Sequence, residues 1–391
     1  MAQMVKVNLN YVTPDQSFAY PLYTEDGLKL FDDHTILSSE TITRTIGQYG
    51  SYIYYLASDE KTSQVDIKMQ SAYEHSRVII DEIVHSEALS KETFRKAEIL
   101  VEDLISDLQY SEIKAINLLH IVKTVDDYLF QHLINVGILS AYLAHHNFSF
   151  SQEEIKFISL GGYLIDIGMM KLDRQLLKKQ GKYDVSEKQK IRRHPQLSYE
   201  LLKGIKGIHP IVLQTVLFHH EQYDGNGYFH LPYEDLPLPP KIVAICDTFD
   251  AYTSNRPYRD ALEPSAALKN IFNSLYTVFD HKIVSAFINT LAKRLNNSQM
   301  FYGKNDFCEL STNEIAMIKN YSSDVLKPRV VVFGRFNKYS DRVEMKFYSR
   351  PIEIDLQKDN ERVLVRLISE SKKAASLKEH LTKKRLLEKL F

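Results

Sequence analysis

The sequence predicts a mainly helical protein with a small β-rich module at each end, and three changes of residue pattern support this prediction. Residues 1–62 alternate short apolar runs with turn formers, which is typical of short strands. Residues 66–297 repeat apolar side chains every three or four positions with few breakers, which indicates packed amphipathic helices. Residues 298–391 return to the strand pattern, as in KPRVVVFGRF, and end in a basic amphipathic helix. We therefore expect an accessory domain over 1–62, a helical domain over 66–297 and a β extension with its terminal helix over 298–391.

The composition argues against several classes of protein. The 391 residues include 49 basic and 50 acidic side chains, and this balance argues against a nucleic acid polymer as the partner. The cysteines are Cys246 and Cys308, too few for a disulfide framework or a thiolate zinc cluster. The N-terminus lacks the basic start and apolar core of a signal peptide, and no apolar run is long enough to span a bilayer. We therefore expect a cytoplasmic protein.

One carboxylate inside an apolar run suggests a metal site. Asp166 lies in GYLIDIGMMK without a partner nearby in sequence, and burying an unpaired carboxylate is costly. Other histidines and aspartates fall on predicted helices, and their imidazole and carboxylate groups suit iron, manganese or zinc. Ligands contributed by several helices are typical of metal sites in helical bundles. Any one of these residues is more simply a surface or hydrogen-bonded core residue, so the prediction depends on the whole set. The set is His132, Asp166, His194, His219, His220 and Asp247.

Four short segments together follow the pattern of a known family. They are DDYLFQH (126–132), HPQLSYELL (194–202), HHEQYDGNGY (219–228) and FDAYTSNRPYR (249–259). In residue type and in order, these segments resemble the HD-GYP family, a bacterial branch of the HD-domain metal phosphohydrolases. The resemblance extends over roughly residues 120–290, and the strands that follow resemble a small β extension common in such proteins.

The resemblance implies a helical bundle that binds divalent metal, with iron or manganese favoured, and that hydrolyses cyclic di-GMP to linear pGpG and then GMP. It implies a first metal held by His132, Asp166 and Asp247. It implies a second metal held by Asp166, His194, His219 and His220, so that Asp166 bridges the two. It also implies a set of substrate-binding residues: Arg256, Arg259, Gly225, Gly227 and Tyr228. Guanidinium groups suit phosphate oxygens, and the tyrosine either stacks on guanine or packs against the protein.

The chain departs from the family pattern at positions that carry chemistry. Ile165 stands where the family has a metal-binding histidine, and Met169 stands where it has an active-site lysine. Ser198 replaces a glycine and Phe229 replaces a proline. An isoleucine cannot ligate a metal, and loss of one electrostatic contributor commonly costs about a hundredfold or more in rate. We therefore expect one or two bound ions and impaired hydrolysis.

Three functions stay open on this evidence. The first is a cyclic di-GMP phosphodiesterase, the second is a catalytically inactive cyclic di-GMP receptor, and the third is a scaffold without metal or ligand. The intact HHEQYDGNGY segment and the two arginines argue against the scaffold, whereas Ile165 and Met169 argue against full activity. We expect the N-terminal module to be accessory or to contact a protein partner. We expect the C-terminal helix to be a solvated tail rather than a contact for a membrane surface or a partner.

Overall fold

The structure is a computed structural model that describes residues 3–9, 16–17, 21–32, 35–50, 52–57, 75–83, 89–106, 128–177, 179, 181–254, 261–294, 302–338, 343–368, 377–379 and 381–383. The helices with defined bounds are α1 (Ser39–Tyr49), α2 (Lys91–Ser106), α3 (Tyr128–Asn147), α4 (Gln152–Leu164), α5 (Arg174–Leu177), α6 (Val185–Ile191), α7 (His194–Leu202), α8 (Pro210–Phe218), α9 (Leu238–Thr253), α10 (Pro264–Asn273) and α11 (His281–Arg294). The strands are β1 (Gln3–Asn8), β2 (Gln16–Ser17), β3 (Leu22–Tyr23), β4 (Lys29–Phe31), β5 (Ile36–Leu37), β6 (Tyr52–Ala57), β7 (Phe307–Leu310), β8 (Glu314–Asn320), β9 (Arg329–Lys338), β10 (Val343–Asp355) and β11 (Leu364–Leu367). Short 3-10 helices cover Ile167–Lys171, Tyr233–Asp235 and Leu356–Lys358.

The chain divides into two compact units. The first comprises Met1–His219 and Ser254–Asp260, and the second comprises His220–Thr253 and Ala261–Phe391. Helices predominate between two groups of strands, which confirms the predicted mainly helical class with a β-rich module at each end. The predicted domain limits at 62, 66, 297 and 298 stay predictions. Among the described helices, none combines the length and the apolar character needed to cross a membrane.

Residues near the N-terminus form a small antiparallel sheet in the order β1-β6-β3-β4, with Gln3 opposite Ala57 at one end of the first pair. Helix α1 was not predicted by the strand pattern. It begins after Ser38, whose hydroxyl accepts a hydrogen bond from the Thr41 N–H and so caps the first turn. The apolar residues of these elements form one buried cluster: Leu9, Leu22, Leu37, Ile42 and Ile53.

Close packing of α3, α4 and α8 forms the centre of the first unit. Residues 132–144 of α3 are all buried. A Cβ atom added to Gly161 of α4 would lie 2.8 Å from the side chain of Thr215 on α8. One added to Gly137 of α3 would lie 3.0 Å from the backbone oxygen of Ser159 on α4. These glycines therefore allow the backbones of three helices to approach closely, and these helices lead into the segments that carry the candidate ligands.

The described turns of the C-terminal helix, 377–379 and 381–383, pack against an antiparallel sheet in the order β10-β9-β8-β7-β11. Leu377 and Leu381 lie in these described turns and are 4% and 0% exposed. They lie in one cluster with Phe307, Ile315 and Phe333 of the sheet. The expectation of a solvated tail is therefore wrong for this segment, because its apolar side covers the core face of the sheet.

Candidate metal centre

Asp166 lies in the turn that follows α4. Helix α4 ends at Leu164, and Asp166 immediately precedes the short helix Ile167–Lys171 with φ of −103° and ψ of 9°. Its carbonyl accepts a hydrogen bond from the Met169 N–H at 2.9 Å, which closes the turn. The carboxylate is only 15% exposed, so it must find partners within the protein.

Three histidines from different parts of the chain surround this carboxylate. The Nε2 atom of His194 lies 3.0 Å from Asp166 Oδ1, and that of His219 lies 3.9 Å from the same oxygen. The Nε2 atom of His132 lies 3.6 Å from Oδ2. Burial by itself raises the pKa of Asp166, but the three imidazoles outweigh it and hold that pKa well below its ordinary value. The carboxylate is therefore ionised at neutral pH.

The backbone orients two of these imidazoles. His194 Nδ1 lies 2.8 Å from the Ile191 carbonyl, and His219 Nδ1 lies 2.9 Å from the Val216 carbonyl. Because a carbonyl only accepts hydrogen bonds, each Nδ1 donates, and the Nε2 atom of each ring faces the partner ring and Asp166. The two Nε2 atoms are 3.3 Å apart. Two ring nitrogens this close repel one another unless a proton or a cation lies between them, and the donor set fits a divalent metal ion.

His220 extends this group. Ring nitrogens of His194, His219 and His220 lie within 4.8 Å of one another, which makes them a candidate set of metal ligands. His194 is the first residue of α7, and His219 directly follows the last residue of α8, so the ends of two helices position these rings. The ring of His220 also packs on that of Tyr228, with centroids 4.4 Å apart. This contact agrees with the packing alternative for Tyr228.

A turn follows the paired histidines, as predicted. Gly225 has φ of +73°, the left-handed conformation that favours glycine, and the Asp224 carboxylate accepts a hydrogen bond from the Asn226 N–H at 3.0 Å. Gly227 is buried, and a Cβ atom there would lie 2.5 Å from the Cα atom of Glu221. Glycine is therefore required for the close approach of these two backbones.

Glu221 organises the loop beyond this turn, although it was not among the residues predicted from the sequence. Its side chain is buried, Oε1 accepts a hydrogen bond from the Phe229 N–H at 2.7 Å, and Oε2 accepts one from the Leu231 N–H at 2.8 Å. Both oxygens therefore serve the backbone of the loop. An acid directly after two candidate ligands and before a glycine turn was the available signal, but the residue types alone do not separate a ligand from a loop-holding carboxylate.

Ile165, the residue before Asp166, belongs to the hydrophobic core. Ile165 is fully buried, and Met169 is half-buried. The Ile165 carbonyl accepts a hydrogen bond from the Ser198 hydroxyl at 2.7 Å, and the same hydroxyl accepts one from the Gly168 N–H at 2.8 Å. Neither Ile165 nor Met169 supplies a ligand or a charge. Ser198 and Gly168 were not identified from the sequence as supports of this turn.

The roles of the remaining predicted residues stay predictions. Asp247 is half-buried on α9 in the second unit, and its role as a ligand stays a prediction. Arg256 and Arg259 lie outside the described residues. The structure thus brings together His132, Asp166, His194, His219 and His220.

Comparisons with known proteins agree with this geometry. Residues 124–283 match the model of a family described as the HD domain. The chain is 30% identical over 238 residues to a cyclic di-GMP phosphodiesterase of Pseudomonas aeruginosa, which covers 59% of this chain and 55% of that protein. It is 36% identical over 150 residues to the cyclic di-GMP phosphodiesterase response regulator RpfG of Xanthomonas campestris, which covers 38% of this chain and 40% of that protein. The chain thus spans about half the length of these relatives or less.

Two further comparisons extend the result. A 3′3′-cGAMP-specific phosphodiesterase of Vibrio cholerae is 31% identical over 199 residues, covering 50% of this chain and 44% of that protein. The solved structure of an HDG"Y"P protein from Bdellovibrio bacteriovorus has the same fold, with a TM-score of 0.52 and 14% identity over 74% of this chain and 99% of that one. Phosphohydrolases of the HD domain are metal-dependent, which agrees with the histidine group. The match of residues 124–283 to the HD domain and the similarity to these phosphodiesterases support an HD-GYP assignment for that part of the chain.

Proposed function

We propose that this chain is a metal-dependent cyclic di-GMP phosphodiesterase that opens the dinucleotide to pGpG and then to GMP. The convergence of the His132, His194 and His219 imidazoles on the Asp166 carboxylate is the observation that carries the proposal. The Pseudomonas and Xanthomonas relatives are cyclic di-GMP phosphodiesterases, which supports cyclic di-GMP as the substrate. The Vibrio relative is specific for 3′3′-cGAMP, so this hybrid dinucleotide is a related candidate substrate.

The donor set supports iron or manganese as the metal, in one or two ions. In this proposal His132, Asp166 and Asp247 hold one ion. The other is held by Asp166, His194, His219 and His220. Bound divalent metal supplies a water of lowered pKa and stabilises negative charge on the phosphate oxygens during hydrolysis.

The chain itself supplies orientation and substrate binding. The two backbone carbonyls that fix the His194 and His219 rings keep their Nε2 atoms directed at Asp166, so little rearrangement is needed when the ion binds. We assign phosphate binding to Arg256 and Arg259 because their guanidinium groups match phosphate oxygens. Gly225, Gly227 and Tyr228 are proposed to line the substrate mouth. Residues 1–62 are proposed as the accessory module for any regulatory protein partner.

A catalytically inactive cyclic di-GMP receptor is the second candidate, and the turn at Asp166 is the observation that favours it. Ile165 is fully buried, so its position contributes packing and no ligand. Met169 leaves the phosphate without a cation from that position. In the receptor, the metal and the arginines bind the dinucleotide. Loss of the ligand histidine and the lysine, replaced by Ile165 and Met169, lowers the rate of hydrolysis so far that the bound dinucleotide is not turned over.

Turnover of cyclic di-GMP separates these functions. Wild-type protein and the Asp166→Ala variant are loaded anaerobically with Mn(II) or Fe(II), and the products are separated by chromatography. Asp235→Ala is the matched control, because Asp235 is an exposed aspartate on a short helix of the second unit. Linear product from the wild type and from the control, and none from Asp166→Ala, supports the phosphodiesterase.

The same preparations are titrated with cyclic di-GMP in a calorimeter. Binding that depends on metal, without product, assigns the chain to the receptor. Absence of both binding and product from metal-loaded wild type contradicts both proposals.

A further inference from the structure

Ser198 spans the turn that carries Asp166. Its side chain is fully buried, and its hydroxyl donates to the Ile165 carbonyl at 2.7 Å while accepting from the Gly168 N–H at 2.8 Å. Asp166 lies between the two backbone groups that this hydroxyl joins. The single donor of the hydroxyl is used, so its hydrogen bonds are committed to the turn rather than to solvent.

The fit at this contact is close. A Cβ atom on Gly168 would lie 2.7 Å from Ser198 Oγ and 2.5 Å from the Ser198 backbone nitrogen. Only glycine therefore lets the turn approach α7 far enough for the hydroxyl to bridge it. Alanine or glycine at position 198 would leave the buried Ile165 carbonyl and Gly168 N–H without this partner, and an unsatisfied buried polar group costs about 1–3 kcal/mol.

The same helix also supplies a candidate ligand. His194 lies four residues before Ser198 on α7, so the two side chains share one face of the helix. One of them contacts the Asp166 carboxylate and the other holds the backbone on both sides of Asp166. Helix α7 thereby sets the distance between a carboxylate oxygen and an imidazole nitrogen of the centre.

We propose that Ser198 is a positioning residue that fixes Asp166 relative to His194 and so sets the affinity of the centre for a divalent ion. The proposal rests on the metal centre proposed above. Ile165 cannot hold this turn from the metal side, because its side chain is apolar and buried in the core. The two hydrogen bonds of Ser198 hold the turn from the side of α7 instead.

The test compares two buried serines of the first unit. Ser198→Ala removes the bridge at the Asp166 turn. Ser159→Ala is the matched control, because the buried Ser159 hydroxyl donates to the Gly137 carbonyl at 2.9 Å and that bond joins α4 to α3. Ser198→Cys, which keeps a weak donor of similar shape, is the second variant should the alanine variant fail to fold. Mn(II) affinity is measured by calorimetry, and the geometry of bound Mn(II) by electron paramagnetic resonance.

We expect Ser198→Ala to weaken Mn(II) binding by about 10- to 100-fold, which is the range typical for loss of a residue that supports metal ligands. We also expect this variant to broaden the spectrum of bound Mn(II). Ser198→Cys gives an intermediate affinity, and Ser159→Ala loses stability in chelator but keeps the wild-type affinity and spectrum. Wild-type affinity in Ser198→Ala, or an equal loss in Ser159→Ala, overturns the positioning role while leaving the metal centre intact. Absence of Mn(II) binding by the wild type overturns the metal centre itself, and the positioning role with it.

Discussion

Gly168→Ala adds a methyl group where the structure has no space for one. The new Cβ atom would lie 2.3 Å from the His194 carbonyl oxygen and 2.5 Å from the Ser198 nitrogen. The first distance is about 1 Å short of ordinary van der Waals contact, which begins at 3.4 Å. Both neighbours are backbone atoms of α7, so no side chain can rotate away, and the helix or the Asp166 turn must move.

Overpacking of this kind costs about 1–3 kcal/mol, and we expect the upper end because backbone must shift. For a unit of this size a loss of about 3 kcal/mol corresponds to a fall in Tm of about 6–12 °C. The displacement also separates His194 from Asp166, whose contact is 3.0 Å, so Mn(II) affinity should fall by about tenfold or more. Thermal unfolding in chelator gives the first quantity, and Mn(II) calorimetry gives the second.

Gly204→Ala is the matched control. Gly204 lies just after α7, its φ is not in the left-handed region, and an added Cβ atom would meet nothing within 4 Å. We expect its stability to stay within about 0.5 kcal/mol of the wild type, with unchanged Mn(II) affinity. If Gly168→Ala matches Gly204→Ala in both measurements, the close contact between the turn and α7 does not exist in solution, and the reasoning is refuted.

Three other predictions follow from the described residues. Leu381→Ala should cost about 2–4 kcal/mol in urea unfolding, because Leu381 is fully buried; no change would mean that the helix is solvated. Burial lowers the pKa of His75 from 6.5 to about 3, so the unfolded chain binds a proton that the folded chain does not, and stability falls as the pH falls from 6.5. Between pH 7 and pH 5 the loss should be about 2 kcal/mol in chelator, and His75→Leu should remove it; an unchanged pH slope contradicts this. In Glu221→Gln, the side-chain NH₂ group cannot accept the hydrogen bond that one carboxylate oxygen accepts from a backbone N–H. The Phe229 and Leu231 amides should therefore exchange faster with deuterium. Equal protection in the variant and the wild type would show that Glu221 does not hold the loop.

The candidate ligands were accessible from the sequence because four motifs keep residue type and order over a long stretch. The prediction that Asp166 needs partners followed from its apolar neighbours, and the structure supplies His132, His194 and His219. A family pattern therefore indicates which distant residues meet, although periodicity alone does not.

The supports of the centre were not accessible in this way. Ser198 acts on the backbone of Ile165 and Gly168, some thirty positions away, and Glu221 acts on amides of the loop that follows it. Backbone hydrogen bonds depend on local geometry and not on the identity of the residue that offers the carbonyl or N–H, so the sequence carries little trace of them. The terminal helix was misjudged for a related reason, because the surface that covers Leu381 comes from strands far earlier in the chain.

The divalent metal centre on the Asp166 carboxylate is tested by metal binding to a variant that keeps the shape of this side chain. Wild-type, Asp166→Asn and Asp235→Ala proteins are stripped with chelator, titrated with Mn(II) in a calorimeter and analysed for bound metal after dialysis. We expect at least one tightly bound ion in the wild type and in Asp235→Ala. We expect none to be retained by Asp166→Asn, which keeps the shape of the side chain but not its charge. Equal retention of Mn(II) by all three proteins would contradict this metal centre.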